Sequence, residues 1–439
     1  MPKNSSSKST SPTPKRPELK RGSGSPRSKR AYNRSLVCAA LFHKGPHSRV
    51  ELKQVTGLPL SRLSDICGSL LDEGLIRESM VTPAVGGGRG RPRSLLELNL
   101  RQLGVACVHY DQDQVTTALV DLAGVVHWKR RWSGQDATDA ASRLATITGY
   151  LKQTVAVGQE FGMYLVGVGA ADPGTVDTAA GRSIRAVNVP GWSDVPVVES
   201  LTRATKLSAL IDRSDGWQAL GEVAYGAGRG AEHVLFVTLL EGIGGGIVEG
   251  GKLLAGRDGS AGEIGHTRVS IDGPKCGCGG RGCLEAHLAP ARLAAIWRGA
   301  SPGDLDAIAP RGETAGDEFS QMLAASQRGD ARAQEVLANA ARALAIALGN
   351  AVSLLNPERI VLGGRFVEAG EPLVTLLRKS LPEFALPELV SNVDVRLAEL
   401  GEDSTFLGIA ACVRSRLFAY PSMGGTVDSH PSAGQSPKT

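Results

Sequence analysis

Apolar positions recur at helical spacing in short segments near the N-terminus. The first segment, 36–42, is followed by Gly45-Pro46, a pair that stops a helix. The second begins at Ser48-Arg49-Val50-Glu51, which matches the capping box, in which a hydroxyl and a carboxylate satisfy the first free amides of a helix. Gly57 then marks a turn. The pattern predicts two helices in quick succession.

A third helical segment, 60–71, has two distinct faces. Its apolar face consists of Leu63, Ile66, Leu70 and Leu71. Its polar face, near the start of the helix, consists of Ser61, Arg62, Ser64 and Asp65. Two helices joined by a glycine turn, the second with polar donors near its start, are typical of a helix-turn-helix that reads the major groove of DNA.

A basic hairpin is predicted directly after these helices. Residues 74–78 and 95–99 are predicted as strands, which leaves a tip rich in Gly and Arg at 86–93. An extended cationic tip fits a narrow A·T minor groove, and a flexible loop that touches only phosphates is the alternative. Residues 31–99 are therefore predicted to form a winged helix-turn-helix domain. Its candidate DNA contacts are Arg49, Ser61, Arg62, Ser64, Arg89, Arg91 and Arg93.

Strands and helices alternate in the rest of the chain. Apolar runs at 115–124 and 234–240 predict strands, and stretches rich in Ala and Leu at 140–157 and 331–355 predict helices. Such alternation is typical of α/β layering.

Charge separates the N-terminus from the remainder. Residues 1–30 carry nine Lys and Arg against one Glu, and residues 31–99 carry nine against six acidic residues. Because the whole chain has a net charge of +5, everything after residue 99 sums to −6. This polarity indicates a polyanion as the partner of the N-terminus. Residues 1–30 and 420–439, rich in Ser and Pro, are predicted to be disordered tails.

The expected cellular location depends on targeting and membrane-spanning segments. At 439 residues the chain can form about three domains, and it shows no signal peptide and no uninterrupted run of eighteen apolar residues. We expect a cytoplasmic protein, associated with the nucleoid when it binds DNA, with no membrane partner.

Three cysteines and one histidine lie within eighteen residues, 266–283. These residues, His266, Cys276, Cys278 and Cys283, are the ligand types that tetrahedral zinc prefers, and a set of four leaves no position for an activated water. The intervening glycines allow a tight loop. The spacing predicts a structural zinc site, with disulfides or buried free thiols as the alternative. The other four cysteines are scattered singly, which is typical of buried thiols in a reducing compartment.

Residues 104–419 resemble the ROK family of repressors, open reading frames and kinases. The motifs that carry the resemblance occur in the order Pro173-Gly174-Thr175-Val176-Asp177, Asn188-Val189-Pro190-Gly191-Trp192, Gly242-Ile243-Gly244-Gly245-Gly246-Ile247, Gly262-Glu263-Ile264-Gly265-His266, Cys283-Leu284-Glu285 and Asn356-Pro357-Glu358-Arg359-Ile360-Val361-Leu362-Gly363-Gly364. The resemblance implies a two-lobed, actin-like ATPase (sugar-kinase-like) body with a sugar cleft. Because a winged helix-turn-helix precedes that body, the chain is similar to the family's xylose-repressor-type regulators.

Two departures from the family's kinases concern catalysis. The kinases carry an Asp-x-Gly-Gly-Thr phosphate turn, and residues 109–113 here read His-Tyr-Asp-Gln-Asp, with two carboxylates that would repel ATP. Their general base is the Asp of an Asn-Asp pair, and this chain has Arg213-Ser214 there. A slip of one or two residues would restore a carboxylate from Asp212 or Asp215. The sequence therefore predicts a protein without kinase activity.

The sugar half of the site is retained. The resemblance implies that the residues holding sugar hydroxyls are Asn188, Glu263, His266 and Glu285. His266 would serve both metal and sugar, because a metal on one ring nitrogen orients the other. A decayed cleft that binds nothing is the alternative.

These elements together predict a sugar-responsive transcription factor, a repressor, that binds a palindromic double-stranded operator as a homodimer or homotetramer. A sugar kinase carrying a DNA-binding module, and a constitutive DNA-binding protein with an inert body, are the competing hypotheses.

Overall fold

The computed structural model describes residues 26–81, 93–133, 139–186, 189–240, 242–301, 305 and 315–421. Both predicted tails, apart from residues 26–30 and 420–421, lie outside these residues. So does the tip of the predicted hairpin, apart from Arg93.

Three helices and a two-stranded hairpin form the N-terminal domain. Their bounds are α1 (Pro26–Lys44), α2 (Arg49–Thr56), α3 (Leu60–Asp72), β1 (Ile76–Val81) and β2 (Arg93–Leu98). The first helix begins at Pro26 and includes residues 26–30, which the sequence assigned to the tail. The capping box is present as predicted, with Ser48 and Glu51 each bonding the other's backbone amide. Leu63, Ile66 and Leu70 of α3 are buried in the core of this domain.

The first lobe follows, built on a five-stranded sheet of order β10-β6-β3-β4-β5. Its strands are β3 (Leu103–Tyr110), β4 (Gln114–Asp121), β5 (Val126–Ser133), β6 (Tyr164–Asp172) and β10 (Ala209–Arg213). A small sheet comprises β7 (Thr175–Asp177), β8 (Arg182–Arg185) and β9 (Ser193–Val195). The helices are α4 (Ala140–Glu160) and α5 (Val197–Thr205).

The second lobe has a sheet of order β13-β12-β11-β14-β15. Its strands are β11 (His233–Leu239), β12 (Ile243–Glu249), β13 (Lys252–Leu253), β14 (Arg359–Gly364) and β15 (Asp394–Leu397). Its helices are α7 (Leu284–Leu288), α8 (Pro290–Arg298), α9 (Ala315–Gln327), α10 (Ala331–Leu355), α11 (Arg365–Ser380) and α12 (Pro387–Val390). By length and composition α10 would pass for a membrane span, but 61% of its apolar window is buried, as in a core helix.

The two sheets repeat one topology. In the first lobe, β3, β4 and β5 form an antiparallel meander, β3 pairs in parallel with β6, and β6 pairs in parallel with β10. In the second lobe, β11, β12 and β13 form the meander, β11 pairs in parallel with β14, and β14 pairs in parallel with β15. This duplication confirms the predicted two-lobed actin-like body.

Two long helices pack against each other between the lobes, α6 (Ser214–Tyr225) and the C-terminal α13 (Ser404–Leu417). They approach closely because Gly408 has no side chain. A Cβ atom there would collide with the carbonyl oxygen of Trp217. Trp217 is buried and joins Phe406 and Ile409 in a core shared by both sheets. The start of α6 therefore has a fixed place at the junction of the lobes.

Candidate functional site

The four predicted metal ligands come together in one cluster. The ligand atoms of His266, Cys276, Cys278 and Cys283 all lie within 4.8 Å of one another. Cys278 Sγ and Cys283 Sγ are 3.7 Å apart, and Cys276 Sγ is 3.7 Å from His266 Nδ1. Two ligands at about 2.3 Å from a tetrahedral zinc would be roughly 3.8 Å apart. The cluster therefore has the dimensions of a tetrahedral metal site.

Local backbone geometry brings the cysteines together. The 276–280 segment closes as a turn in which the Gly279 amide donates to the Cys276 carbonyl and the Cys276 amide donates to the Gly280 carbonyl. Gly282 has a φ of +71°, and a side chain there would collide with the Ser270 carbonyl. A backbone hydrogen bond from Gly280 lowers the pKa of the Cys278 thiol, whereas burial raises the pKa of the Cys276 and Cys283 thiols.

Three of the four predicted sugar-binding residues gather at the start of β12, and Asn188 lies outside the described residues. Glu285 Oε2 accepts the Ile243 amide at 3.0 Å, and its Oε1 lies 3.9 Å from Cys276 Sγ. Gly265, between Glu263 and His266, packs directly on the Ile243 carbonyl. The metal cluster and the three described sugar-binding candidates thus lie next to one another.

Glu263 has a partner that the sequence did not predict. Arg213 Nη1 donates to Glu263 Oε1 at 2.6 Å, and Arg213 Nη2 donates to the carbonyl of Ala261 at 2.5 Å. The Arg213 side chain is only 8% exposed, whereas Glu263 is 45% exposed. Arg213, which the sequence analysis matched to the Asn-Asp pair of the family's kinases, therefore contacts Glu263 directly. We call Arg213, Asp215, Glu263 and the adjacent start of β12 the inter-lobe site.

Asp212 and Asp215, which flank the predicted position of the general base, are engaged by the protein itself. Asp215 Oδ2 accepts the Gly245 amide at 3.0 Å, and burial raises the pKa of Asp215. Asp212 accepts the Arg213 amide, and burial raises the pKa of Asp212 to about 6. The hydroxyl of Ser214 donates to the Asp172 carbonyl. Both carboxylates thus have structural hydrogen bonds.

The segment 109–113, which the sequence analysis matched to the kinases' phosphate turn, lies at the closed hairpin between β3 and β4. Asp111 accepts the amides of Asp113 and Gln114, and Arg143 donates to the carbonyls of Asp111 and Gln112. These bonds close the turn on itself and tie it to Arg143 of α4.

A buried hydrogen-bond network lies beneath this hairpin. The Tyr110 hydroxyl donates to Asp172 at 2.7 Å, and the Trp192 indole donates to the same oxygen at 3.2 Å. Tyr110 is 1% exposed, and burial raises its pKa well above the ordinary value. From the sequence alone Tyr110 had no assigned role, because its partner Asp172 lies on another strand.

The predicted DNA-reading face of α3 is open to solvent. Ser61, Arg62, Ser64 and Asp65 are all exposed, on the side opposite the buried Leu63 and Ile66. Arg49 is in an ion pair, with Nη2 3.2 Å from Glu78 of β1. Arg93 is the first residue of β2. Arg89 and Arg91 lie outside the described residues.

A profile of the ROK family matches residues 105–416 of the chain. A glucokinase of Halalkalibacterium halodurans is 37% identical over 251 residues, 56% of this chain and 74% of that protein. The DNA-binding transcriptional dual regulator NagC of Escherichia coli is 26% identical over 387 residues, 88% of this chain and 93% of that protein. The regulator therefore matches a longer part of the chain than the glucokinase does.

A solved structure of a regulator also matches most of the chain. A ROK family transcriptional regulator, described as a homologue of the E. coli MLC protein, superposes with a TM-score of 0.72 at 24% identity. The match covers 89% of this chain and 97% of that one. At this identity the likeness supports the fold alone.

Proposed function

The chain belongs to the ROK family, and from that premise we propose that it is a sequence-specific DNA-binding regulator of carbohydrate metabolism. It acts as a repressor in the cytoplasm, on the nucleoid, and a sugar or sugar derivative controls it. The observation that carries the proposal is the exposed polar face of α3, within a three-helix and hairpin domain that precedes the family's body. The extended match to NagC supports it.

We propose that the protein binds its operator as a homodimer or homotetramer. One recognition helix reads only a few base pairs, and a two-fold pair presents two helices about one helical turn apart. The operator is therefore palindromic. A footprint on a single half-site, or a strictly monomeric protein on DNA, would contradict this arrangement.

The test is selection of DNA from a random pool by the full-length protein, followed by affinity measurement at fixed salt. Arg62→Ala should weaken binding to the selected operator by about 5- to 150-fold, because a base contact is worth about 1–3 kcal/mol. The control is Arg328→Ala, which removes an exposed cation from the second lobe. Undiminished operator binding by the Arg62 variant would overturn the assignment of α3.

We propose that His266, Cys276, Cys278 and Cys283 hold a structural zinc ion. Their donor set and separations fit it, and all four positions are filled by protein ligands. The metal would brace the 266–283 loop and set the orientation of the His266 ring.

The carbohydrate would bind at the inter-lobe site, with hydroxyls held by Asn188, Glu263, His266 and Glu285. Carboxylates and amides make paired hydrogen bonds to vicinal hydroxyls. Thermal-shift screening against sugars and sugar phosphates tests this, because a ligand that binds only the native state raises the melting temperature. If no member of the panel raises it, the constitutive DNA-binding protein with an inert body is favoured.

The second candidate, a sugar kinase with a DNA-binding module, is favoured by the 37% identity to the glucokinase. Against it, Asp111 in the 109–113 hairpin accepts amides of its own turn, and the residues Arg213-Ser214 include no carboxylate. A coupled ATP turnover assay over a panel of hexoses separates the two, and sustained phosphorylation would establish the kinase.

A further inference from the structure

Arg213 joins the two lobes with a single side chain. It is the last residue of β10 in the first lobe, yet its guanidinium donates to Glu263 and to the Ala261 carbonyl in the second. A longer contact, 3.4 Å, reaches the Gly245 carbonyl on β12. Since one planar group contacts a loop and a strand of the opposite lobe, it fixes how β10 and β12 sit relative to each other.

The charges around this guanidinium favour its present position. Asp215 Oδ2 lies 3.4 Å from Arg213 Nη1, the same nitrogen that donates to the solvent-exposed Glu263. Two carboxylates therefore flank one cation, so the formal sum of the three groups is −1. An anionic ligand would be repelled here, whereas a neutral polyol would not.

The arrangement also leaves one donor without a partner. Arg213 Nε is buried and makes no hydrogen bond to any described residue. An unsatisfied buried donor weakens an otherwise strong contact, because its lost hydration is not repaid. The guanidinium is therefore held through its two terminal nitrogens, and its Nε gains no hydrogen bond from the present position.

We infer that Arg213 is an internal competitor of the carbohydrate, a latch that occupies Glu263 and ties the lobes together while no sugar is bound. The inference rests on the proposed function, in that Glu263 is taken to accept sugar hydroxyls. Glu263 is 45% exposed, so a ligand can approach it from solvent. When hydroxyls take over its carboxylate, Arg213 is released and the contact between β10 and the 261–263 loop is lost.

The first test compares carbohydrate affinity by calorimetry in the full-length protein, over glucose, xylose and N-acetylglucosamine. Arg213→Gln should bind its preferred sugar about tenfold more tightly than the unaltered protein, because the competing charge-assisted bond is gone. Weaker or equal binding would overturn the latch and make Arg213 a ligand contact or a bystander. Arg203→Gln, which breaks an exposed ion pair on α5, is the control and should leave affinity unchanged.

A conservative variant covers the case in which Arg213→Gln does not fold. Arg213→Lys keeps a cation beside Asp215, but one ammonium cannot span Glu263 and the two carbonyls as the guanidinium does. It should shift carbohydrate affinity in the same direction by a smaller factor. Weaker binding than in the unaltered protein would again contradict the latch.

A sugar-free measurement separates the latch from the proposed function. Without any ligand, amide hydrogen exchange at residues 261–266 should be at least tenfold faster in Arg213→Gln or Arg213→Lys than in the unaltered protein. Unchanged exchange would overturn the latch whatever the protein binds. If exchange quickens but no sugar binds any form, the latch stands as a lobe contact and the carbohydrate function fails.

Discussion

Cys283 is only 2% exposed, and its Sγ is one of the four ligand atoms of the proposed metal site. Cys283→Ala should remove about one equivalent of zinc and lower the melting temperature by several degrees, because a structural metal contributes directly to folding. Metal content by plasma mass spectrometry and thermal unfolding are the measurements.

A matched substitution separates metal loss from lost packing. Cys107 is also fully buried, on β3, and lies outside the metal cluster. Cys107→Ala should therefore destabilise the protein while its zinc content stays constant. Full metal occupancy in Cys283→Ala would refute the assignment of Cys283 as a ligand.

At the same scale, sequence reasoning succeeds where partners are close along the chain. The four candidate metal ligands lie within eighteen residues, so their spacing alone predicted that they would cluster. Arg213 and Glu263 are fifty positions apart and belong to different lobes, so no local pattern predicts their ion pair. The sequence marked both residues, but their contact depends on how the two sheets are placed.

Among the elements, α1 and the end of α3 are tied by a charged cluster in the N-terminal domain. Arg34 Nη1 donates to Glu73 Oε1 at 2.7 Å and to the Ser69 hydroxyl at 2.9 Å. The hydrogen bond from Arg34 lowers the pKa of Glu73 from 4.5 to about 2. Glu73 is 44% exposed, so solvent screening keeps the stabilisation small.

The depressed pKa of Glu73 sets the direction of a pH effect. A carboxyl whose pKa is lower in the folded state stabilises it above the unfolded pKa, and that contribution is lost as the pH falls through the folded pKa. The stability difference between the unaltered protein and Glu73→Gln should thus be full above pH 4.5 and shrink towards pH 2. Thermal unfolding across this range measures it.

The same substitution in an Arg34→Gln background is the control. There the partner that depresses the pKa is gone, so the pH-dependent part of the Glu73→Gln effect should disappear. A difference that is constant with pH in the unaltered background would show that Glu73 stabilises the domain by packing alone.

Element boundaries were predictable where short-range signals set them. Ser48 and Glu51 fixed the start of α2 from four consecutive residues, and Gly57, at a φ of +71°, fixed its end. The small sheet of β7, β8 and β9 was not predicted, because its strands are three or four residues long and carry no periodicity. Their pairing depends on turns whose geometry is set by the surrounding lobe.

Across the whole molecule, the N-terminal domain meets the body at an aromatic joint. Phe42 near the end of α1 lies 5.3 Å from Phe418, ring centre to ring centre, and His43 stacks on Tyr420 at 5.0 Å. Arg414 of α13 lies over the rings of both Phe42 and Tyr225. Tyr225 is the last residue of α6.

One of the two helices that reach this joint, α6, also reaches the inter-lobe site. The opposite end of α6 begins at Ser214, next to Arg213, and α13 packs along α6 through Gly408. A change at the inter-lobe site that shifts α6 therefore has a continuous packed route to α1. Such a route supports coupling only if its contacts differ between the two states of the protein.

The joint can be tested because Phe42 packs on the body's core and is outside the buried core of its own domain. Phe42→Ala should therefore leave operator affinity without sugar within about threefold of that of the unaltered protein. The factor by which saturating sugar weakens operator binding should be at least tenfold smaller in the variant. The reason is that a ligand shifts DNA binding only through a contact whose energy differs between the two states. Operator titrations with and without sugar measure both quantities.

The control is Phe161→Ala, which removes an exposed aromatic ring from the end of α4 and should preserve the full response to sugar. If sugar still releases the Phe42 variant from DNA as fully as the unaltered protein, the coupling must run through other contacts, and the aromatic joint only anchors the domain.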